Sequence, residues 1–272
     1  MSHDLDLPEL LHAVAALARA AGAVVMSIYA TDFAVLGKAD ASPVTAADQQ
    51  AESVILVGLQ ALTPHIPIVA EEAAAAGDVP QLAAGQRFWL VDPLDGTREF
   101  VARNGEFTVN IALIEHGRPV LGVVLAPALG GPAGCLYAGI VGQGAWVEDA
   151  TGRRAMHCRP QPAEGLTVLA SRSHGDAAAL DVFLAGYLAG RRVAHLGTAG
   201  SSLKLCRLAA GQADLYPRLG RTMAWDIAAG HAVLAAAGGS VCRVDDGLPL
   251  DYGKAGFENP HFVAAGLTSR TD

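Results

Sequence analysis

Apolar residues recur at helical spacing early in the chain. Leu10, Leu11, Val14, Leu17, Val24, Val25 and Ile28 share one face of a predicted helix over residues 8–30. Pro8 suits its first turn, where a missing N–H costs nothing. A polar loop, Lys38 to Asp48, leads into a second helix from about Ala46 to Leu62, for which Thr45 is the natural cap. The pattern then changes period. Ile66–Ala70 is a short apolar strand ending at Glu71-Glu72, and Ala73–Ala76 with Gly77-Asp78 is expected to be a surface loop. Phe88-Trp89-Leu90-Val91 is a buried strand, out of which Pro93 is expected to bend the chain. Phe107–Ile114 and Val120–Ala126 flank the turn residues 115–119 and predict a hairpin, and Cys135–Ile140 and Ala145–Glu148 complete an antiparallel sheet.

From about residue 155 strands and helices alternate. Strands are expected at Leu166–Ser171, Arg192–Leu196, Asp214–Pro217, Ser240–Val244 and His261–Ala265. Helices are expected at Asp176–Ala189, Ala199–Ala210 and Met223–Ala237. This rhythm implies a sheet covered by helices, hence an α/β (α+β) chain in two halves, residues 1–155 and 156–272. The halves are joined without a low-complexity linker, and no internal repeat is visible.

Composition narrows the class. Across 272 residues, 51% are hydrophobic and 17% charged, which is globular, and the net charge of −8 argues against a general nucleic-acid binder. A phosphorylated small molecule stays compatible, because bound cations or a few local Lys and Arg reverse the sign inside a pocket. Cys135, Cys158, Cys206 and Cys242 form no C-x-x-C pair and are expected to be reduced, packed thiols. Asp4, Asp6 and Glu9 precede or enter the first apolar run, unlike a signal peptide. Residues 119–147 carry no charge, but Pro127, Pro132 and many glycines break them into buried strands, not a spanning helix. The cytoplasm is the expected compartment. Peripheral contact with the cytoplasmic face of the inner membrane, and the choice between monomer and homodimer, stay open.

The chemistry centres on Asp92-Pro93-Leu94-Asp95-Gly96-Thr97. Two carboxylates flank a proline just before a Gly-Thr step. Carboxylates suit a hard cation such as Mg²⁺, and the free N–H groups of a helix start suit a phosphate. Thr97 is the expected cap of that turn or short helix. Glu71 follows one strand, and Asp226 lies in Trp225-Asp226-Ile227. Each acid also has a plainer reading. Asp48 and Asp226 suit first helical turns, and Glu71-Glu72 suits a solvated strand end.

Taken together, Asp92–Thr97 with an upstream Glu-Glu and a downstream Trp-Asp resembles the signature of the inositol monophosphatase superfamily of Mg²⁺-dependent, lithium-sensitive phosphomonoesterases. Thr97-Arg-Glu-Phe100, Gly105–Ile114, Gly200-Ser-Ser-Leu-Lys204, Leu215-Tyr-Pro-Arg218 and Trp225–Val233 are most similar to its CysQ-type 3'(2'),5'-bisphosphate nucleotidase branch. The resemblance spans nearly the whole chain, from Ser42 to Pro260. It implies a layered αβαβα sandwich with metals at the junction of the halves. It implies two Mg²⁺, with room for a third near Glu71. One is held by Glu71, Asp92 and the Leu94 carbonyl, and the other by Asp92, Asp95 and Asp226. Thr97 and Asp48 would orient and deprotonate a water, and the N–H groups of Gly96 and Thr97 would hold the phosphate. A nucleotide's remaining groups would meet His174, Ser201, Lys204 and Arg218, although Lys204 also suits a solvated helix face. Two departures bear on metal affinity and lithium sensitivity. Ala70 stands where relatives often have Ser or Gly, and Ala73–Ala76 replace a more polar loop. The activity implied is hydrolysis of adenosine 3',5'-bisphosphate to AMP, and of its sulfated form, in sulfate assimilation. The alternatives are an inositol or broad sugar-phosphate and NADP phosphatase, and a non-catalytic phosphometabolite-binding protein.

Overall fold

The amphipathic pattern at the start of the chain forms α1 (Leu7–Tyr29), capped by Asp6, whose carboxylate accepts from the Glu9 N–H. The structure, a computed structural model, describes residues 6–31, 35–37, 43–171, 177–188 and 190–267. His174, Asp176, Ala189 and residues 38–42 of the predicted loop lie outside these. Its described part forms β2 (Pro43–Thr45), which pairs antiparallel with β1 (Val35–Gly37) before the loop and leads directly into α2 (Ala46–Leu62).

A seven-stranded sheet follows, in the order β3 (Ile68–Ala70), β4 (Phe88–Asp95), β5 (Thr108–Glu115), β6 (Arg118–Ala126), β7 (Cys135–Ile140), β8 (Gly144–Asp149), β9 (Gly152–Met156). Only the β3–β4 pair is parallel. The uncharged stretch 119–147 is β6, β7 and most of β8, as its turn residues predict. Two short helices interrupt the meander, α3 (Glu71–Ala75) and α4 (Thr97–Val101). Of the expected surface loop, residues 73–75 are therefore helical, and Ala76 and Gly77 follow the helix as a turn. Alanine favours helix, and the buried Glu52 side chain on α2 accepts from the Glu72 and Ala73 N–H groups at 2.8 and 2.9 Å, capping α3 from outside.

The second sheet has five strands, in the order β11 (Val193–Ala199), β10 (Leu166–Ser171), β12 (Leu215–Arg218), β14 (Phe262–Ala265), β13 (Ser240–Arg243). Its helices are α5 (Ala177–Tyr187), α6 (Leu203–Ala209) and α7 (Ala224–Ala236). The helix expected from Ala199 begins four residues later, because β11 runs on to Ala199 and Ser201 adopts a left-handed turn, φ +42°.

The layers follow from which faces are apolar. β4 alternates: Trp89 and Val91 pack with α1 and α2, while Phe88 and Leu90 pack with α6 and α7. Because both faces are buried, the strand reads as one apolar run. A separate cluster, Leu166, Val168, Leu184, Leu188 and Val263, joins α5 to the outer face of the second sheet. The order is thus helices, seven-stranded sheet, helices, five-stranded sheet, helix, the αβαβα sandwich. Among the described residues α1 alone is long and apolar enough to cross a membrane, and here it packs on α2 and β6.

Candidate active site

β4 keeps its pairing with β5 from Phe88↔Ile114 to Asp92↔Asn110, slips, and resumes at Asp95↔Thr108. Pro93 and Leu94 occupy the slip. Proline has no N–H to give a ladder, so a bulge holds it where a regular strand would not. The expected bend out of the strand is therefore a bulge within it. The Leu94 N–H turns to Asp92 Oδ1 at 3.0 Å, and the Leu94 side chain, 1% exposed, stays in the core.

Gly96 then takes φ +93°, ψ 45° and caps α4, so the cap expected at Thr97 falls one residue earlier. A Cβ on Gly96 would lie 3.2 Å from Glu99 Oε2 and 3.3 Å from the Glu106 carbonyl, which explains glycine there. Thr97 is the first helical residue, and its Oγ1 lies 3.5 Å from the Leu94 carbonyl oxygen.

Elements distant in sequence complete the site. Glu71 opens α3 at the end of β3. Asp226 is the third residue of α7 and accepts from the Met223 N–H at 2.9 Å, while Ser202 Oγ donates to the Asp226 carbonyl at 2.6 Å. A cavity of about 200 Å³ is lined by Glu71, Asp92, Leu94, Asp95, Gly96, Thr97, Ser201, Lys204, Arg218 and Asp226. Asp48, 2% exposed on α2, is not part of that lining, yet its charge is felt at Asp92.

Burial and mutual repulsion dominate the electrostatics. Asp92 is held well above the ordinary carboxylate range, first by desolvation, then by Glu71, Asp95, Asp226 and Asp48. Asp226 is raised by burial, then by Asp95 and Glu71. Burial lifts Asp95 to about 6 against the pull of Lys204 and the Ser202 N–H. Four carboxylates repelling one another in a buried cleft form a set of hard oxygen donors, which fits Mg²⁺ by charge and by ligand type. Among the described residues no three such groups already close into a ligand cage.

Lys204 is not on a solvated face. It is 4% exposed, donates to the carbonyls of Ala199 at 3.1 Å and Ser201 at 2.6 Å, and sits 5.2 Å from the Tyr216 ring centroid. Burial lowers it to about 8, against the stabilising charge of Asp95. Arg218, 7% exposed, donates from Nη2 to the Arg221 carbonyl at 2.9 Å. Ser201 Oγ is buried and has no hydrogen-bond partner among the described residues. His174, expected near the nucleoside, lies outside the described residues. The sequence reading missed four contributors: Ser202, Asn110 (3.4 Å from Asp95 Oδ2), Glu52 behind α3, and Glu99, 5% exposed in the cavity wall. Glu99 had a signal, the Arg-Glu-Phe that follows Thr97; the others needed the fold.

The chain matches the inositol monophosphatase family over residues 6–269. It is 49% identical over 256 residues to the 3'(2'),5'-bisphosphate nucleotidase CysQ of Escherichia coli O157:H7, covering 93% of this chain and 98% of that one. It is 39% identical over 264 residues to the protein of the same name from Buchnera aphidicola, covering 95% and 94%. Among solved structures, CysQ from Bacteroides thetaiotaomicron superposes with a TM-score of 0.76 at 33% identity, covering 94% of this chain and 97% of that one. Mycobacterium tuberculosis SuhB superposes with a TM-score of 0.71 at 26% identity, covering 97% and 93%. Sequence, layer order and the carboxylate-lined cleft agree, and the chain belongs to the inositol monophosphatase family.

Proposed function

We propose that this chain is a Mg²⁺-dependent 3'(2'),5'-bisphosphate nucleotidase, releasing phosphate from the 3' position of adenosine 3',5'-bisphosphate to leave AMP. Nearly full-length identity of 49% to a protein named for that activity supports the substrate class. The observation that carries the chemistry is one cavity into which Glu71, Asp92, Asp95 and Asp226 are gathered from three separate segments beside a helix start. Clearance of this nucleotide, and of its sulfated form, would serve sulfate assimilation in the cytoplasm. In the same reading residues 1–155 carry most of the metal ligands, and residues 156–272 bring Asp226 and the nucleotide contacts.

Glu71, Asp92 and the Leu94 carbonyl would hold one Mg²⁺, and Asp92, Asp95 and Asp226 a second, with a third near Glu71. Bound there, the ions supply Lewis acidity to the phosphoryl group and lower the pKa of water. The chain's own groups do the rest. The N–H groups of Gly96 and Thr97 at the start of α4 hold the phosphoryl oxygens. The Thr97 hydroxyl orients a water, whose proton passes through that hydroxyl to the Asp48 carboxylate as its oxygen attacks phosphorus in line. The bond from phosphorus to the ribose 3' oxygen breaks, and that oxygen takes up a proton from solvent and leaves as the 3' hydroxyl of AMP. Positioning and charge stabilisation carry most of the acceleration.

Phosphate release in Mg²⁺ from adenosine 3',5'-bisphosphate, inositol 1-phosphate, fructose 1,6-bisphosphate and NADP tests the reading. The bisphosphate nucleotide should be preferred. Asp95→Asn should lower its turnover by at least about a hundredfold, the scale of losing a charge-stabilising group, with unchanged circular dichroism. A preference for inositol 1-phosphate would overturn the substrate assignment. Near-normal turnover by Asp95→Asn would overturn the metal assignment, and tight binding without turnover would indicate a binding protein.

A further inference from the structure

The nucleotidase reading requires a second, non-scissile phosphate to be bound, and among the described residues four cations line the cavity: Arg98, Lys204, Arg218 and Arg221. Their surroundings differ. Lys204 is sunk among the carbonyls of Ala199 and Ser201 and faces Asp95. Arg218 is buried and spends Nη2 on the Arg221 carbonyl. Arg98 follows Thr97 on α4, beside the N–H groups assigned to the scissile phosphate. Arg221 is supplied to the lining by the loop between β12 and α7.

The Arg221 backbone is fixed while its side chain is accessible. Arg218 grips its carbonyl, and Asn259 clamps the next two residues, donating to Thr222 Oγ1 at 3.2 Å and to the Met223 carbonyl at 2.7 Å. The guanidinium instead reaches out to Glu258, Nε to Oε2 at 3.2 Å, with the two side chains 63% and 58% exposed. So exposed a pair is held weakly and exchanges readily. Arg221 also lines a second recess of about 560 Å³ with Glu258, Asn259 and Pro260. A guanidinium on a rigid loop, between the carboxylate-lined cavity and an open recess, suits bidentate capture of a phosphate.

We propose that Arg221 is a specificity-determining residue that takes the non-scissile 5'-phosphate of the substrate, and that Glu258 competes with that phosphate for the same guanidinium. The proposal rests on the nucleotidase reading. It assigns opposite effects to the two partners of one surface pair, which a purely structural ion pair would not give.

The test compares adenosine 3',5'-bisphosphate with adenosine 3'-monophosphate by phosphate release in Mg²⁺. Arg221→Ala should lower the ratio of kcat/KM for the bisphosphate over the monophosphate about tenfold, mainly through a higher KM, since one charge-assisted contact is lost. Glu258→Gln should shift that ratio the other way by up to about fivefold, the range of an exposed ion pair. An unchanged ratio in Arg221→Ala, with normal wild-type turnover of the bisphosphate, would overturn the Arg221 assignment alone. A fall in Glu258→Gln matching that in Arg221→Ala would overturn the competition. Failure of the wild-type protein to hydrolyse the bisphosphate would overturn both the nucleotidase reading and the inference built on it.

Discussion

Gly96 is the residue on which the proposed phosphate contact turns. Its left-handed φ of +93° sets the direction of the first N–H groups of α4, and no Cβ fits without pushing on Glu99 and the Glu106 carbonyl. An L side chain in that conformation costs about 1–2 kcal/mol. Gly96→Ala should therefore lower stability to urea by about that amount. It should also lower kcat by more than about tenfold, because displacing an oriented donor by a fraction of an ångström is enough. Equilibrium unfolding and initial rates, measured on the same preparation, separate the two effects. Loss of stability with kcat intact would remove the Gly96–Thr97 N–H groups from the mechanism.

At the scale of elements, α3 shows how a five-residue helix is held. Its N-cap, Ala70, has no polar side chain to offer, and the Glu52 carboxylate supplies both acceptors from α2. Burial raises the Glu52 pKa, while the two N–H groups it accepts from pull it down. Glu52→Gln leaves one good acceptor oxygen and turns an NH₂ towards a donor, which should cost about 1–2 kcal/mol. Because Glu71 is the first residue of α3, the same change should raise the Mg²⁺ concentration for half-maximal activity several-fold; a magnesium titration of turnover checks it. Lower stability at an unchanged magnesium midpoint would detach Glu71 from the metal.

The same scale shows what the amino-acid pattern could and could not reveal. β4, β5 and β6 were legible because sheet strands buried on both faces are runs of apolar residues. β9 was not, since Gly152-Arg153-Arg154-Ala155 is exposed at the sheet edge and carries charge where a core strand would alternate. The start of α3 was hidden because its cap lies about 20 residues away in sequence, at Glu52. Asp92 and Asp95 stood out as a pair of carboxylates before a Gly-Thr step, and Glu71 and Asp226 joined them only by resemblance. Each is an ordinary helix-start or strand-end residue by itself, and only the layer order brings them to one cavity.

For the whole molecule, α7 is the shared layer. It belongs to the second half in sequence, yet it packs on β5, β6 and β7 of the first sheet as well as on β13 of the second. The approach is close because Gly122 and Gly139 face it; a Cβ on Gly122 would come within 2.3 Å of the Ala229 carbonyl oxygen. This packing delivers Asp226 to the acids of the first half. At the middle of α7, His231 is buried, its Nδ1 2.8 Å from the Tyr252 hydroxyl, and burial followed by the charge of Arg118 lowers its pKa from 6.5 to about 3. A depressed folded-state pKa means that the unfolded chain binds the proton first. Stability should therefore be intact above the unfolded value of 6.5 and be lost as pH falls towards about 3. The contribution is about 1.4 kcal/mol per pH unit while the imidazole is protonated only when unfolded. Glutamine at 231 keeps a polar partner for Tyr252 and does not titrate. The stability of His231→Gln, followed by urea unfolding from pH 7 to 4, should thus fall less steeply than that of the wild type, by about one bound proton. Parallel slopes would mean that His231 titrates normally in the folded protein, and that the contact between α7 and the first sheet admits water.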